Sequence, residues 1–311
     1  MKLFQSFYRK ALLIITLSLP LLTAMSGPDG NPQWEPDVPT DTSTVFIPVL
    51  YVGHPPPPSP NRAIIIDHNS IYLFDRIPNT YIQAAANMSV LFRHASVGWN
   101  ISYGLDCLMN RVQPRPSGCY GPYDPKYNRT NWIFEFHQPP PAQNPGWWEK
   151  VDLFIHRIEN LSPAEDYNVV GYKHGYVDAY DGSTIDSYFF VDSEPFSGIA
   201  DLEALASRHP ERKFMLWTMS LARRSYPESA NFNRQMRDYA RANNKILMDI
   251  AAITSHRPDG TPCYSTLGNG VEAICADYTT EEGGGHLTGL GSYRMAQAMW
   301  VLMARLAGWN P

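Results

Sequence analysis

From about residue 87 onward, short apolar runs alternate with amphipathic stretches. Apolar runs of strand length lie at 87–94, 167–174, 212–219 and 245–251. Apolar residues spaced three or four apart predict helices at 97–110, 147–158, 196–210, 229–244 and 287–308. The stretch at 111–146 is rich in proline and is predicted to be a long loop region. Alternating strands and helices predict an α/β fold, with a mostly parallel sheet covered by helices on both faces.

The pattern before residue 63 is of a different kind. Lys2, Arg9 and Lys10 precede a short apolar run, and small residues follow it near Ala24 to Ser26. This order is typical of a secretory signal peptide over 1–26, and an uncleaved anchor is the alternative. Residues 27–62 are proline-rich, which favours a solvated linker or a wrapped arm. We therefore expect the folded domain at 63–311, in a secreted or periplasmic protein without a stable membrane span after cleavage.

Charge and cysteine content narrow the class of protein further. The 311 residues include 25 basic and 30 acidic ones, so the charge gives no reason to expect nucleic-acid binding. Four cysteines allow three pairings. We predict the local disulfides Cys107–Cys119 and Cys263–Cys275, because each would close a polar, turn-rich loop. A zinc site is the less favoured interpretation, since neither pair has the C-x2-C spacing.

The predicted topology brings four chemistry-bearing segments to one edge of the sheet. Ser96 follows the first predicted strand, residues 174–178 follow the second and residues 219–224 follow the third. His286 directly precedes the last helix. Ligands of open α/β sheets bind beyond the carboxyl ends of the strands. We therefore expect a functional site where these segments meet.

Ser96 and His286 are the residues of greatest chemical interest in these segments. A serine hydroxyl is a weak nucleophile until an adjacent base, usually histidine, accepts its proton. Ser96 lies among small residues where a strand turns into a helix, although a serine at this position is often a simple helix cap. His286 follows three glycines, which can present an imidazole at the edge of the sheet or form an ordinary flexible loop.

Two sequence blocks carry a resemblance to a known superfamily. The stretch HASVGWNISYGLD at 94–106 resembles the first block of the SGNH (GDSL-like) hydrolases, in the form H-x-S-V-G that an exported bacterial branch has. The stretch YTTEEGGGHLTGLG at 278–291 is similar to the last block of that branch. The resemblance covers roughly residues 87–308. It implies a three-layer α/β/α sandwich of SGNH or flavodoxin-like type. The activity that it implies is hydrolysis of an ester or acetyl group, which requires no metal or organic cofactor.

The resemblance assigns roles to individual residues and leaves others open. Ser96 becomes the nucleophile and His286 the base. In the segment GYVD, Gly175 and Asp178 match the third block, but Val177 stands where an oxyanion asparagine is expected. Candidates for the missing donor are Lys173, His174 and Tyr176. The second-block glycine is assigned to Gly146, with Asn144 beside it. The residues predicted to bind the oxyanion or the substrate are then Gly146, Asn144, Lys173, His174, Gly175 and Asp178.

The acidic member of the site is also displaced. The superfamily has an aspartate three residues before the histidine, and here Gly283 occupies that position. We expect Glu282 to orient His286, because its longer side chain can span the inserted residue, and Glu281 is the second choice. A Ser–His pair steadied by a backbone carbonyl is a further alternative.

These observations predict an exported serine esterase that acts on a small-molecule or glycan ester. The alternative is a catalytically degenerate protein on the same scaffold that binds glycan or cell-envelope polymer. The missing asparagine and the displaced acid favour that alternative. A cofactor-binding α/β protein is not favoured, because no glycine-rich phosphate-binding motif follows a predicted strand.

Overall fold

A computed structural model describes residues 62–139, 141–180, 182–186 and 197–311. The predicted signal peptide and the proline-rich segment up to residue 61 lie outside these described residues. In the described ranges, six strands form one sheet in which every pair is parallel, in the order β1-β6-β5-β4-β2-β3. The strands are β1 (Ile64–Ile66), β2 (Val90–His94), β3 (Trp132–Phe136), β4 (Val169–Tyr172), β5 (Lys213–Trp217) and β6 (Ile246–Met248).

Helices cover both faces of this sheet. They comprise a 3₁₀ helix (Ser70–Arg76) and α1 (Asn79–Ala86), α2 (Val97–Met109), α3 (Trp147–Glu159), α4 (Ile199–Arg208), α5 (Pro227–Ala242), α6 (Ile250–Ser255) and α7 (Gly289–Leu306). Side chains of α1, α2 and α7 form one apolar core, and those of α3, α4 and α5 form another. Alternate residues of β2 enter opposite cores, as expected for a strand buried on both faces. The predicted three-layer α/β/α sandwich is therefore confirmed.

The structure corrects several element predictions. β3 lies inside 111–146, which we predicted to be loop, and the helix predicted at 229–244 begins at Pro227. The strand predicted at 245–251 ends at Met248, and α6 follows it. The elements before residue 87 were not predicted, because β1 has only three residues and the helices after it are short.

Both predicted disulfides, Cys107–Cys119 and Cys263–Cys275, are present. They close the loop after α2 and the loop between α6 and α7. Across the described ranges, no helix combines the length and the apolar character needed to cross a membrane.

The packing of α2 against α7 determines where the functional segments meet. Gly104 of α2 lies so close to the backbone of Ser292 in α7 that any Cβ would overlap the Ser292 carbonyl. The Leu287 N–H, just before α7, donates to Asn100 Oδ1 of α2 at 3.1 Å. These contacts hold α2 against the first turn of α7.

Candidate active site

Ser96 occupies the turn between β2 and α2 in an unusual backbone conformation. Its φ of 52° and ψ of −106° lie outside the regions that non-glycine residues normally adopt. Such conformations are costly and concentrate at functional sites. The Ser96 side chain makes no capping hydrogen bond to the helix, and its Oγ lies 2.5 Å from Nε2 of His286. Ser96 therefore stands at the N-cap position without acting as a side-chain cap.

His286 is held on its other side by Glu281. Nδ1 of His286 lies 2.6 Å from Glu281 Oε1, and the backbone N–H of His286 donates to Glu281 Oε2 at 3.1 Å. An ionised carboxylate accepts hydrogen bonds, so Nδ1 of a neutral His286 carries the proton. Nε2 is then the acceptor that faces the Ser96 hydroxyl. This is the tautomer that a general base for Ser96 requires.

The surroundings of Glu281 keep its carboxylate ionised. Partial burial by itself raises the pKa of Glu281, but the hydrogen bonds from the His286 N–H and ring outweigh this effect and lower it. The Tyr176 hydroxyl lies 3.3 Å from Nδ1 of His286. Burial, reinforced by the Glu281 charge, raises the pKa of Tyr176, so that its phenol is neutral at physiological pH.

The carboxylate that contacts His286 thus belongs to Glu281, our second choice, and not to Glu282, which is exposed. The path of the glycine loop explains this correction. A Cβ at Gly284 would overlap the Glu281 carboxylate, and a Cβ at Gly285 would overlap the Leu221 carbonyl. The Arg223 N–H donates to the Gly284 carbonyl at 2.7 Å. The loop therefore folds tightly against the segment after β5 and returns His286 to Glu281.

An open cavity of about 450 Å³ lies at Ser96 and His286. Its other lining residues are Trp99, Asn100, Phe136 and Gln143. Because Asn100 Oδ1 accepts the Leu287 N–H, the amide NH₂ is the end of this side chain left for the cavity. Trp99 is 59% exposed, and its ring is nearly parallel to that of Phe136, with centroids 6.0 Å apart. The cavity thus combines an aromatic wall with two carboxamides.

The six residues predicted to hold the oxyanion or substrate are not among those that line this cavity. Gly146 is the N-cap of α3, where its N–H donates to Glu149 Oε2, and Asn144 is exposed. The remaining four are Lys173, His174, Gly175 and Asp178, of which all but Gly175 are buried.

Asp178 is the centre of a buried ionic cluster behind the site. Its Oδ2 accepts from Lys150 Nζ at 2.5 Å and from the Gly175 N–H at 2.6 Å, and lies 3.7 Å from Nδ1 of His174. Burial opposes ionisation of Asp178, but the hydrogen bonds and charges of His174 and Lys150 outweigh it and lower its pKa. Within the predicted segment, Lys173, His174 and Asp178 are thus buried at the end of β4, whereas Tyr176 lies beside His286.

Four lining residues, Trp99, Asn100, Phe136 and Gln143, were not predicted from the sequence. Asn100 follows Ser96 by four residues, so helical spacing alone places both on one face. Phe136 lies in the unpredicted strand β3, and nothing in the sequence around Gln143 indicates a site.

Within the described residues, no three His, Cys, Asp or Glu side chains are grouped to hold a metal ion. No family model matches the chain, and no curated protein matches it.

Proposed function

We propose that the protein is an exported serine esterase that forms a covalent acyl-serine intermediate. The observation that supports this function is the continuous chain of hydrogen bonds from Glu281 through His286 to Ser96. A nucleophile, a base and an orienting group within hydrogen-bond reach form the arrangement that activates a serine. The two disulfides favour export, since such bonds persist in oxidising compartments.

In the first half of the reaction, Ser96 Oγ attacks the acyl carbon while Nε2 of His286 takes the hydroxyl proton. The carbonyl π electrons move to oxygen and form an oxyanion. When the intermediate collapses, the bond from the acyl carbon to the alcohol oxygen breaks, and the leaving alkoxide takes the proton from Nε2. In the second half, water attacks the acyl-serine with His286 again as base, which releases the acid and restores Ser96.

The oxyanion requires hydrogen-bond donors beside Ser96. The Ser96 backbone N–H and the NH₂ of Asn100 are the donors we assign to it, with the Gln143 carboxamide as a further donor to substrate. The Asn100 amide takes the place of the asparagine that is replaced by Val177. Trp99 and Phe136 provide the apolar wall against which the substrate binds.

The alternative function is binding of glycan or envelope polymer without turnover. Val177, which cannot donate a hydrogen bond and is 50% exposed, is the feature that favours it. Labelling with an active-site-directed phosphonate separates the two functions, because a competent Ser–His pair reacts with it and a degenerate pair does not.

The decisive experiment is labelling of the secreted protein with a fluorophosphonate, followed by peptide mapping. We expect one adduct at Ser96, together with hydrolysis of p-nitrophenyl acetate. Ser96→Ala and His286→Ala should lose both signals, whereas His209→Ala, a control at a histidine after α4, should retain both. Absence of labelling in the folded wild-type protein, or full activity in Ser96→Ala, would refute the esterase function.

A further inference from the structure

A second cavity, of about 430 Å³, is formed by segments that take no part in the proposed reaction. Its walls come from the loop and 3₁₀ helix after β1, the loop after α2, the loop after α6, and one face of α7. It shares no lining residue with the cavity at Ser96. Its volume lies within the range usual for small-molecule sites.

Arg294 is the chemically unusual residue of this cavity. Its side chain comes from α7 and is only 7% exposed, yet none of the described carboxylates forms an ion pair with it. Its Nε donates to the Ile253 carbonyl at 3.0 Å and its Nη2 to the His256 carbonyl at 3.3 Å. The guanidinium lies 5.4 Å above the Tyr278 ring, which helps to fix its plane.

These contacts leave Arg294 with unused hydrogen-bond donors and with a positive charge that no carboxylate of the described residues balances. Two carbonyls use two of its five N–H donors, and neither carries a formal charge. A buried cation without an anionic partner is costly, and a carboxylate on a bound ligand would offset that cost. The planar guanidinium also suits a carboxylate geometrically, because both groups can form two parallel hydrogen bonds.

The rim of the cavity has a different character. Tyr72 and Tyr120 are 62% and 50% exposed, and each offers a flat apolar face with a polar tip. Asp75 and Asp259 are exposed at the same rim, where they can accept hydrogen bonds from hydroxyl groups and repel a second anionic group. Arg257, also at the rim, is already paired with Asp277 at 2.9 Å.

We propose that this cavity binds a saccharide that carries a single carboxylate, of the uronic acid type. The carboxylate binds Arg294 at the inner end, the ring lies against the rim tyrosines, and the hydroxyls bind Asp75 and Asp259. The cationic interior selects a ligand with an acidic group, and the acidic, aromatic rim selects a ring with several hydroxyls and no second acidic group. This site is independent of the chemistry at Ser96.

The test is calorimetric titration of the full protein with glucuronate, with glucose, which lacks the carboxylate, and with acetate, which lacks the ring. We expect glucuronate to bind at least about tenfold more tightly than either, as one charge-assisted hydrogen-bond pair allows. Tyr72→Ala should weaken glucuronate binding several-fold. The control Tyr226→Ala, at an exposed tyrosine outside the cavity, should leave it unchanged.

Further variants keep the result independent of folding and of the esterase. Arg294→Lys should lose most of the preference for glucuronate over glucose. A thermal melt shows whether the Arg294→Lys protein is folded. If that variant is unfolded, Tyr72→Ala tests the site. Ser96→Ala should bind glucuronate like the wild type. Equal affinity for acetate and glucuronate, no binding of glucuronate, or unchanged binding by Tyr72→Ala would overturn the proposal.

Discussion

Glu281 and Glu282 are neighbours in the chain but have different surroundings. Glu281 accepts two hydrogen bonds from His286, one from the ring and one from the backbone, and these bonds lower its pKa. Glu282 is exposed to solvent. The pair therefore offers a matched comparison in which the same substitution is made at two adjacent positions.

We predict that Glu281→Gln lowers kcat/KM for p-nitrophenyl acetate by roughly 10⁴-fold, the size of the loss when the orienting carboxylate beside a catalytic histidine is removed. The amide keeps the size of the side chain but removes the charge that stabilises a protonated His286. Glu282→Gln should keep activity within about twofold of the wild type, as expected for an exposed side chain. Steady-state kinetics on both variants measure this, and the opposite ranking would assign the role to Glu282.

At the scale of single residues, the sequence predicted which residue types form the site better than it predicted the contacts between them. Ser96 and His286 could be paired in advance because their blocks imply a nucleophile and a base. The choice between Glu281 and Glu282 could not be made by counting residues, because it depends on how tightly Gly284 and Gly285 let the loop fold. The four-residue spacing from Ser96 could have indicated Asn100, whereas Gln143 enters the cavity through tertiary packing that no local pattern reveals.

At the scale of elements, the site depends on the contact between α2 and α7. Ser96 opens α2, His286 precedes α7, and the two helices are in close backbone contact at Gly104 and Ser292. The Asn100–Leu287 hydrogen bond lies between that contact and the reacting side chains. A displacement of α7 relative to α2 would therefore change the distance between Ser96 and His286.

We predict that Gly104→Ala lowers both stability and activity. The added methyl group meets backbone rather than a movable side chain, so overpacking should cost about 1–3 kcal/mol. Displacement of reacting groups by about 1 Å can cost roughly 10²-fold in rate, so kcat should fall in protein that is still folded. Thermal melts and kinetics measure the two effects, with Ser207→Ala on the exposed face of α4 as control. A lower melting temperature with unchanged kcat would show that this contact stabilises the fold without positioning the site.

The elements that could be predicted are those with a strong pattern. β2, β4 and β5 are buried runs between helices, and their parallel order follows from that alternation. The edge strand β3 was missed because its short run lies within a proline-rich region, which favours a loop. Four of its five residues, in the sequence WIFEF, are apolar, so the run itself is compatible with a strand.

At the scale of the whole molecule, an unusual number of basic groups are buried behind the site. Arg93 and His94 at the end of β2, His137 after β3, and Lys173 at the end of β4 are all at most 5% exposed, as is Lys150 of α3. Burial, with the charge of Lys173, lowers the pKa of His94 to about 3. No sequence pattern predicts this cluster, because lysine and arginine are rarely fully buried.

Lys173 gives this cluster a measurable effect on stability. Its Nζ donates to the His174 carbonyl and to Ser220 Oγ, and burial followed by the charge of Lys150 lowers its pKa from 10.5 to about 7. Between about pH 7 and 10.5 the unfolded chain therefore holds a proton on this lysine that the folded protein does not. Stability rises with pH wherever the unfolded state binds more protons.

We predict that the free energy of unfolding of the wild type rises from pH 7 to pH 9 relative to that of Lys173→Met, by up to about 1.4 kcal/mol per pH unit. Methionine keeps the length of the side chain and removes the titrating group, so the difference between the two proteins isolates Lys173. Urea denaturation at pH 7, 8 and 9 measures it, with Lys126→Met at an exposed lysine as control. Parallel pH profiles for the wild type and Lys173→Met would mean that Lys173 stays protonated in the fold. The excess positive charge of the cluster would then persist throughout this pH range, with Asp178 and Glu135 as its nearby anionic partners.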